Sequence, residues 1–421
     1  MKTIQQFISN LFIGSAVVLT FDTQAFSQTW MQTSAPNRDW QSVASSADGT
    51  KLVGVIGQNA GGIYTSTNSG IIWAHQTNAP TPIDGWQSVA SSADGAKLVV
   101  VAPEPGLICD STNSGVAWTF TSAPTNYWLC VASSADGSKL VAGAYPYQYG
   151  ANSGGGIYTS TNSGTTWTLE TNAPMKNYWI SVASSADGNK LVAVADLDTN
   201  GNLGGIYTST DSGVTWTQTS APTNSWSSVA SSVDGCKLVA VATMSGFFPG
   251  NGGNIYTSTN AGATWISNNV PVDNWQSVAS SADGTKLIAV TWFSNGGIYT
   301  STNSGAGWIQ FTNIPNAWWA SVASSADGCK LALAGYEANY NPGSIYISQS
   351  IPTPALGIAS SSTNVALSWI VPSTNFVMQQ SSDLASWSNV TNAPVLNLTN
   401  LQNEVILSPS NSSGFYRLKT P

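Results

Sequence analysis

One phrase, W-x-S-V-A-S-S-x-D-G-x-K-L with small variations, occurs seven times in the chain. Its copies begin at Trp40, Trp86, Trp128, Trp179, Trp226, Trp275 and Trp319, 42 to 51 residues apart. Six times a second phrase follows, I-Y-T-S-T-N-S-G-x-x-W or a close variant, ending at Trp73, Trp118, Trp167, Trp216, Trp265 and Trp308. A unit this small cannot bury its own apolar face, so neighbours must stack on it. Each unit reads as four short strands. The V-A-S-S segment comes first. Asp-Gly then turns the chain tightly, since Gly accepts positive φ and Asp tolerates it. K-L-V-A-V is a second, continuously apolar strand and G-I-Y-T-S a third. After the T-N-S-G turn, the fourth strand starts at the Trp. Four strands in a repeat of about 40–50 residues predict a β-propeller blade.

The seventh unit reaches its third strand, Ser344-Ile345-Tyr346-Ile347-Ser348, and then lacks the turn and the fourth strand. The missing piece lies near the other end of the chain. Thr29-Trp30-Met31-Gln32-Thr33-Ser34-Ala35-Pro36 matches fourth strands such as Thr215 to Pro222. This N-terminal strand is expected to complete the last blade and close seven blades into a ring, which removes exposed sheet edges. The predicted fold is all-β: a seven-bladed propeller over 28–348, a linker over 349–356, and a small C-terminal β-sandwich over 357–421.

Residues 1–27 read as a cleaved secretory signal. Lys2 is its positive end, Phe7 to Phe21 its mostly apolar run, and Ala25 and Ser27 the small residues before a cut at Gln28. The run is shorter than the roughly 20 apolar residues of a spanning helix, and no other segment could cross a bilayer. The mature protein is expected to be exported: secreted, periplasmic or at the cell surface.

Charge is scarce. Of 421 residues 32 are charged, and the net charge is −8. A phosphate-backbone binder needs clustered Lys and Arg, so no nucleic-acid partner is expected. One His and two Arg leave His catalysis and Arg clamps almost without candidates. Cys236 and Cys329 fill the same slot two units apart, too far to bond. Free thiols are expected, with a Cys109–Cys130 bridge as the exception. No CxxC or His/Cys cluster suggests zinc. Asp196-Leu197-Asp198-Thr199-Asn200-Gly201-Asn202 has oxygen ligands for Ca²⁺ but lacks the downstream bidentate Glu, and a plain polar loop is the favoured reading. No metal and no cofactor is expected, and a monomer is.

The turn phrase resembles the Asp-box (BNR) motif, S-x-D-x-G-x-x-W, of sialidase-like propellers. Ser209-Thr210-Asp211-Ser212-Gly213-Val214-Thr215-Trp216 matches throughout, while Asn68, Asn113, Asn162, Asn260 and Asn303 replace the Asp in the other five copies. The resemblance covers about 29–348 and implies the propeller fold. It leaves function open, because Asp-boxes occur in sialidases, xyloglucan hydrolases, photosystem assembly factors and sorting receptors. Sialidases hold their substrate's carboxylate with three Arg, and this propeller has only Arg38. The assembly factors are marked by Arg-rich patches, which are also missing. The tail carries L-S-W, F-x-x-Q-x-S-x-D-L, a Trp and F-Y-R-L, with Ser381, Asp383, Leu384 and Trp387 in pattern. It resembles the small fibronectin-like C-terminal module of exported planctomycete and verrucomicrobial proteins.

Subtracting the scaffold isolates the informative residues. Fourteen of the 18 Trp are repeat positions, counting Trp30, and the remainder within the propeller is Trp292 and Trp318. The seven Asp and seven Lys of the D-G-x-K turns are read as turn chemistry. Both recurring turns fall on one face. The variable loops fall on the other, where loops on a rigid scaffold carry function. Those loops hold Tyr145, Tyr147, Tyr149, Phe247, Phe248, Trp292, Phe293, Tyr336 and Tyr340 after second strands, and Tyr127, Tyr178 and Trp318 before first strands. Ring closure would gather Trp292, Trp318, Tyr336, Tyr340, Glu337, Arg38 and Asp39 in one sector. Aromatic rings beside acid and amide groups suit sugar faces. Alternatively, the rings pack on one another and stiffen the loops. The favoured function is a non-catalytic binding propeller for a polysaccharide or surface glycoprotein. The runner-up is a polysaccharide-active glycoside hydrolase using two carboxylates from Asp39, Asp84 and Glu337.

Overall fold

The computed structural model describes residues 30–421 apart from 58–60, 83–84, 105, 147–154, 244–252, 293–296, 312–316, 338–340, 351–355, 361–363, 371–376, 383–384, 398–401, 408–414 and 420–421. The leader and its cut, and most of the linker, therefore fall outside the described residues. Among those described, every regular element is a β-strand. No helix there is long and apolar enough to cross a membrane.

Seven four-stranded antiparallel sheets carry the repeats, and we number them one to seven in repeat order. Sheet three is typical, with strands Tyr127–Ser133, Leu140–Tyr145, Gly156–Ser160 and Thr168–Leu169. The second strand is the apolar run because it is covered on both faces, as in Leu98–Ala102, where all five residues are buried. The fourth strand begins one residue after the repeat Trp and has only two exposed residues in Ala74–His75. The Trp belongs to the turn: the Trp73 indole N–H donates to the Gly70 carbonyl at 2.9 Å. In that turn the Ser66 hydroxyl accepts the Gly70 N–H at 3.0 Å, and Asn68 Oδ1 accepts the Ile72 N–H at 2.8 Å. The serine before the glycine is left-handed as well (Ser69, φ 59°), which the sequence pattern did not foretell.

The first-strand tryptophans are wedges between sheets. All seven are fully buried. Trp226 packs on Val192, Val194 and Ile206 of sheet four while standing on Val229, Leu238 and Ala240 of its own. Just after the Trp the pairing slips, for example between Trp226 and Ser228, a bulge that re-aims the strand. The serine beyond it then serves the next sheet. Ser228 Oγ accepts the Val278 N–H at 3.3 Å, and Ser277 Oγ the Val322 N–H at 3.1 Å.

Two further series of bonds run from sheet to sheet. The Ala47 N–H donates to Ala93 O, Ala93 to Ala135, Ala135 to Ala186, Ala186 to Val233, Val233 to Ala282, Ala282 to Ala326 and Ala326 back to Ala47, all at 2.7–2.8 Å. These residues and serines of the seven V-A-S-S segments line a cavity of about 160 Å³. The second series is made by the side chains of the repeat lysines: the backbone closes the lysine's own turn, as in the Lys139 N–H bond to Ser134 Oγ at 3.0 Å, while Nζ leaves for the next sheet, which the pattern did not suggest. Lys51 Nζ reaches Ser114 at 3.3 Å, and Lys330 Nζ reaches Ser69 at 3.1 Å. The four-carbon stem spans the gap between neighbouring hairpins, which a local pattern cannot display. Trp30–Gln32 lies on the edge of sheet seven. Trp30 is opposite Ser348 and Gln32 opposite Tyr346, and Gln32 Nε2 donates to Ser344 Oγ at 2.7 Å.

The turn carboxylates are strongly engaged. Asp136 Oδ1 accepts the Ser134 hydroxyl at 2.6 Å and the Ser138 N–H at 2.9 Å. Burial alone would push this carboxyl up. The hydrogen bonds and the Lys97 charge outweigh it and hold Asp136 at about 2. Asp48, Asp94, Asp187, Asp234 and Asp283 are lowered in the same way, burial being overcome by hydrogen bonds and a lysine of the preceding sheet. A carboxyl whose folded value lies below its unfolded value stabilises the fold above the unfolded value. That contribution is lost as pH falls through the folded one. The melting temperature is therefore expected to drop as pH falls from 3.8 toward about 2, and Asp136→Asn should flatten that slope. A melting temperature that rises on acidification through this window would overturn the account.

The tail forms two antiparallel sheets. One orders Gly357–Ser360, Val365–Ile370, Gln402–Leu407 and Val395–Asn397, and the other Ser388–Asn389, Val377–Ser381 and Phe415–Lys419. Leu367, Trp369 and Val405 of the first share a core with Met378 and Leu418 of the second. Arg417 caps this unit. Its guanidinium lies 4.1 Å over the Trp387 ring and donates twice to Gln379 Oε1.

Candidate functional site

Pairing of the first two strands of a repeat continues past the bulge in several sheets, and this extension carries the aromatic residues. Trp318 lies in Ala317–Ser324, Tyr336 and Glu337 in Lys330–Glu337, Tyr127 in Tyr127–Ser133 and Tyr178 in Asn177–Ser184. These were read as loop residues. Instead Trp318 stands opposite Tyr336 and Tyr127 opposite Tyr145 in regular register. A ladder holds such side chains more rigidly than a loop does.

Trp292 follows the strand Leu287–Thr291, with its N–H donating to Asn274 O at 2.8 Å. Its ring lies 6.1 Å from that of Trp318, tilted by 43°, and both residues are half-buried. Tyr336 meets Trp292 edge-on at 5.3 Å and donates its hydroxyl to Gln41 Oε1 in sheet one at 3.1 Å. Tyr336 is 5% exposed, so it packs against Trp292 and offers no open ring face. Burial, with the Asp39 carboxylate near it, pushes its phenol up to about 12, and the hydroxyl stays a donor at neutral pH. Gln41, which anchors Tyr336, stands at the variable second position of the repeat phrase and gave no signal in the sequence.

Backbone pairing fixes the rest of the sector. Arg38 and Gly343 exchange N–H and carbonyl bonds at 2.9 and 3.0 Å, and the Glu337 N–H donates to Asn341 O at 3.0 Å. Gly343 is required for close approach, since a Cβ there would lie 2.2 Å from the Gly335 carbonyl oxygen. Arg38 and Glu337 are exposed, Asp39 partly so, and the Asp39 carbonyl accepts the Gly57 N–H at 2.9 Å. The structure thus gathers Trp292, Trp318, Tyr336 and Asp39, and ties Arg38 and Glu337 to the 341–343 segment. Asp84 and Tyr340 lie outside the described residues, as do Tyr147, Tyr149, Phe247, Phe248 and Phe293.

A second aromatic pair occupies equivalent slots between sheets three and four. Tyr145 corresponds to Trp292 and Tyr178 to Trp318. Their rings stack at 4.2 Å and 27°, with Tyr127 at 5.6 Å from Tyr145. Burial raises the Tyr145 phenol, aided by its hydrogen bond with Tyr178. Nearby, Asp196 accepts the Ser225 hydroxyl, and burial raises its carboxyl despite that bond. The shared slot, the residue before the repeat Trp, was the available signal for this grouping. Asp198 serves its own loop, with Oδ1 accepting the Asn200 and Asn202 N–H groups at 2.8 and 2.9 Å. Among the described residues no group of three or more His, Cys, Asp or Glu is placed to hold a metal ion. All four cysteines are free.

No family model matches the chain, and no curated protein matches it. Solved structures do. The GH74 xyloglucanase from Xanthomonas campestris superposes with a TM-score of 0.56 at 14% identity, covering 82% of this chain and 60% of its own. The chain thus spans about 60% of that enzyme's length. Hydrazine synthase from Kuenenia stuttgartiensis matches at 0.57 and 15% identity, over 76% of this chain and 97% of that one. YCF48 from Cyanidioschyzon merolae matches at 0.53 and 15%, over 76% and 98%. At these identities the likeness is one of architecture, and the chain has a β-propeller fold.

Proposed function

We propose that the seven repeat sheets are the blades of one closed propeller of Asp-box type, completed by the N-terminal strand. The protein is exported and binds glycans without cleaving them. The return of the inter-sheet amide bonds to Ala47 supports closure. The binding reading rests on one observation: the tilted Trp292–Trp318 pair, with Tyr336 edge-on to Trp292 and anchored on Gln41. Indole faces take the CH face of a sugar, while Arg38, Asp39 and Glu337 offer polar groups to its hydroxyls. The Tyr145–Tyr178 pair is a poorer platform because its rings are closed on each other at 4.2 Å. The two-sheet tail is a β-sandwich module that serves as a spacer or surface-association unit.

The mature chain should be retained by an insoluble polysaccharide or by members of a glycan array. Trp292→Ala/Trp318→Ala should weaken binding by at least about tenfold, some 1.4 kcal/mol, with little change in melting temperature. Tyr145→Ala/Tyr178→Ala should bind as the parent does. Undiminished binding by the tryptophan double variant would sink the assignment. The likeness to a xyloglucanase favours one second reading, hydrolysis by a pair drawn from Asp39, Asp84 and Glu337. That reading expects new reducing ends from a polysaccharide and their loss on Asp39→Asn, Asp84→Asn or Glu337→Gln.

A further inference from the structure

The repeat lysines do not all end on the same atom. In five cases Nζ meets the serine hydroxyl of the next sheet's third-to-fourth-strand turn: Lys51 with Ser114, Lys97 with Ser163, Lys139 with Ser212, Lys237 with Ser304 and Lys330 with Ser69, at 3.1–3.3 Å. Two lysines have no such serine to meet. Lys190 faces sheet five, whose turn has Ala261 in that place. Lys286 faces sheet seven, whose fourth strand comes from the N-terminal segment, so that turn is missing. In these two sheets, and in no other, the residue after Asp-Gly is cysteine. Lys190 Nζ lies 3.3 Å from Cys236 Sγ, and Lys286 Nζ 2.9 Å from Cys329 Sγ. Each Nζ also donates to the carbonyl of the turn Asp, Asp234 at 2.9 Å and Asp327 at 2.8 Å.

The turn itself does not call for cysteine, since the slot also holds Ala96. In four sheets Thr50, Ser138, Asn189 and Thr285 satisfy the second carboxylate oxygen of the Asp, and in sheet five the Cys236 side chain bonds the Asp234 carboxyl. Beside Cys329, Asp327 Oδ2 is buried with no partner among the described residues, which is unfavourable. What the sulfur provides is contact with the lysine nitrogen across the gap between two sheets.

We propose that Lys286–Cys329 and Lys190–Cys236 are oxidisable pairs that form covalent N–O–S bridges between neighbouring sheets. The oxidant is dioxygen. The lysine reacts as the amine, its ammonium proton going to solvent. One N–H and the S–H bond break, N–O and O–S bonds form around one oxygen atom, and the second oxygen leaves as water with the two hydrogens. Both bridges sit where the serine clamp is absent, so oxidation fastens the two junctions that lack it. Cys130, whose sulfur meets the carbonyl oxygens of Gly143 and Trp179, and Cys109 serve as internal controls.

The full chain, purified under reductant, is divided, and one portion is aerated, digested without reductant and mapped by mass spectrometry. The expected products join the Lys286 peptide to the Cys329 peptide and the Lys190 peptide to the Cys236 peptide. Each should weigh one oxygen more and two hydrogens less than the sum of its parts and should separate on treatment with dithiothreitol. Aeration should also raise the melting temperature of the parent. It should leave Cys236→Ser/Cys329→Ser unchanged, since serine keeps a lysine acceptor without forming the bridge. Lys190→Arg/Lys286→Arg should give no cross-linked peptide. Recovery of Cys236 and Cys329 only as thiols, or only as sulfinic and sulfonic acids beside intact lysines, would overturn the proposal. So would oxidation confined to Cys109 and Cys130.

Discussion

Replacing Trp226 with Ala is expected to destabilise the fold by about 3–5 kcal/mol, the range for a large aromatic removed from a close-packed core. The indole is wholly buried and meets Tyr256 edge-on at 5.2 Å. It fills the junction of sheets four and five, where Val192, Val194 and Ile206 line the far wall. Apolar side chains on both walls cannot close over the hole without moving two hydrogen-bonded sheets toward each other. Trp226→Phe should cost much less, because it keeps an aromatic wedge and removes an indole N–H that is buried without a partner among the described residues. Chemical denaturation of the two variants checks this. An Ala variant within about 1 kcal/mol of the parent would show that the wedge does not hold the junction.

The second large effect is expected from deleting residues 30–36. Deletion unpairs Ile345–Gln349 along its outer side and removes the Thr33 N–H bond to Ile345 O at 2.9 Å. It also takes Trp30 from the cluster around Ile288, Trp319 and Leu333. A long, bare, apolar edge is a template for pairing with another chain. The truncated protein should therefore melt many degrees lower and self-associate, as seen by light scattering. A permuted chain that carries Thr29 to Pro36 after Gln349, through a Thr-Asn-Ser-Gly turn, should regain the melting temperature. A truncated protein that stays monomeric and as stable as the parent would show the strand to be dispensable.

Most of the scaffold was legible because its information is local. Ser134, Asp136, Ser138 and Lys139 are bonded to one another within six residues of chain, so the turn is written in one phrase. The same holds for Ser66, Asn68 and Gly70. The second strands are legible because burial on both faces demands unbroken apolar runs. Even the partner of sheet seven could be found, since Trp30 to Pro36 repeats the grammar of other fourth strands. Of the lysines, only the reach of the side chains was missed, for the opposite reason. Their partners lie in the next repeat, and a phrase that places Lys beside Asp-Gly does not say where a long side chain ends.

By itself, then, the sequence determined the number and order of the repeats, the strands within each, and the two turns. All of these follow from hydrogen bonds and apolar periodicity within short stretches of chain. Only the tertiary structure decided which variable residues share a place. It put Trp292 with Trp318 and Tyr336, and Tyr145 with Tyr178. It buried Tyr336, which was expected to be an exposed member of the group, against Trp292, and set Cys236 and Cys329 against lysines of preceding sheets. Those contacts lie between sheets. They depend on how neighbouring hairpins are offset and how far each extends past its bulge, and packing of whole sheets fixes these distances where no single repeat can.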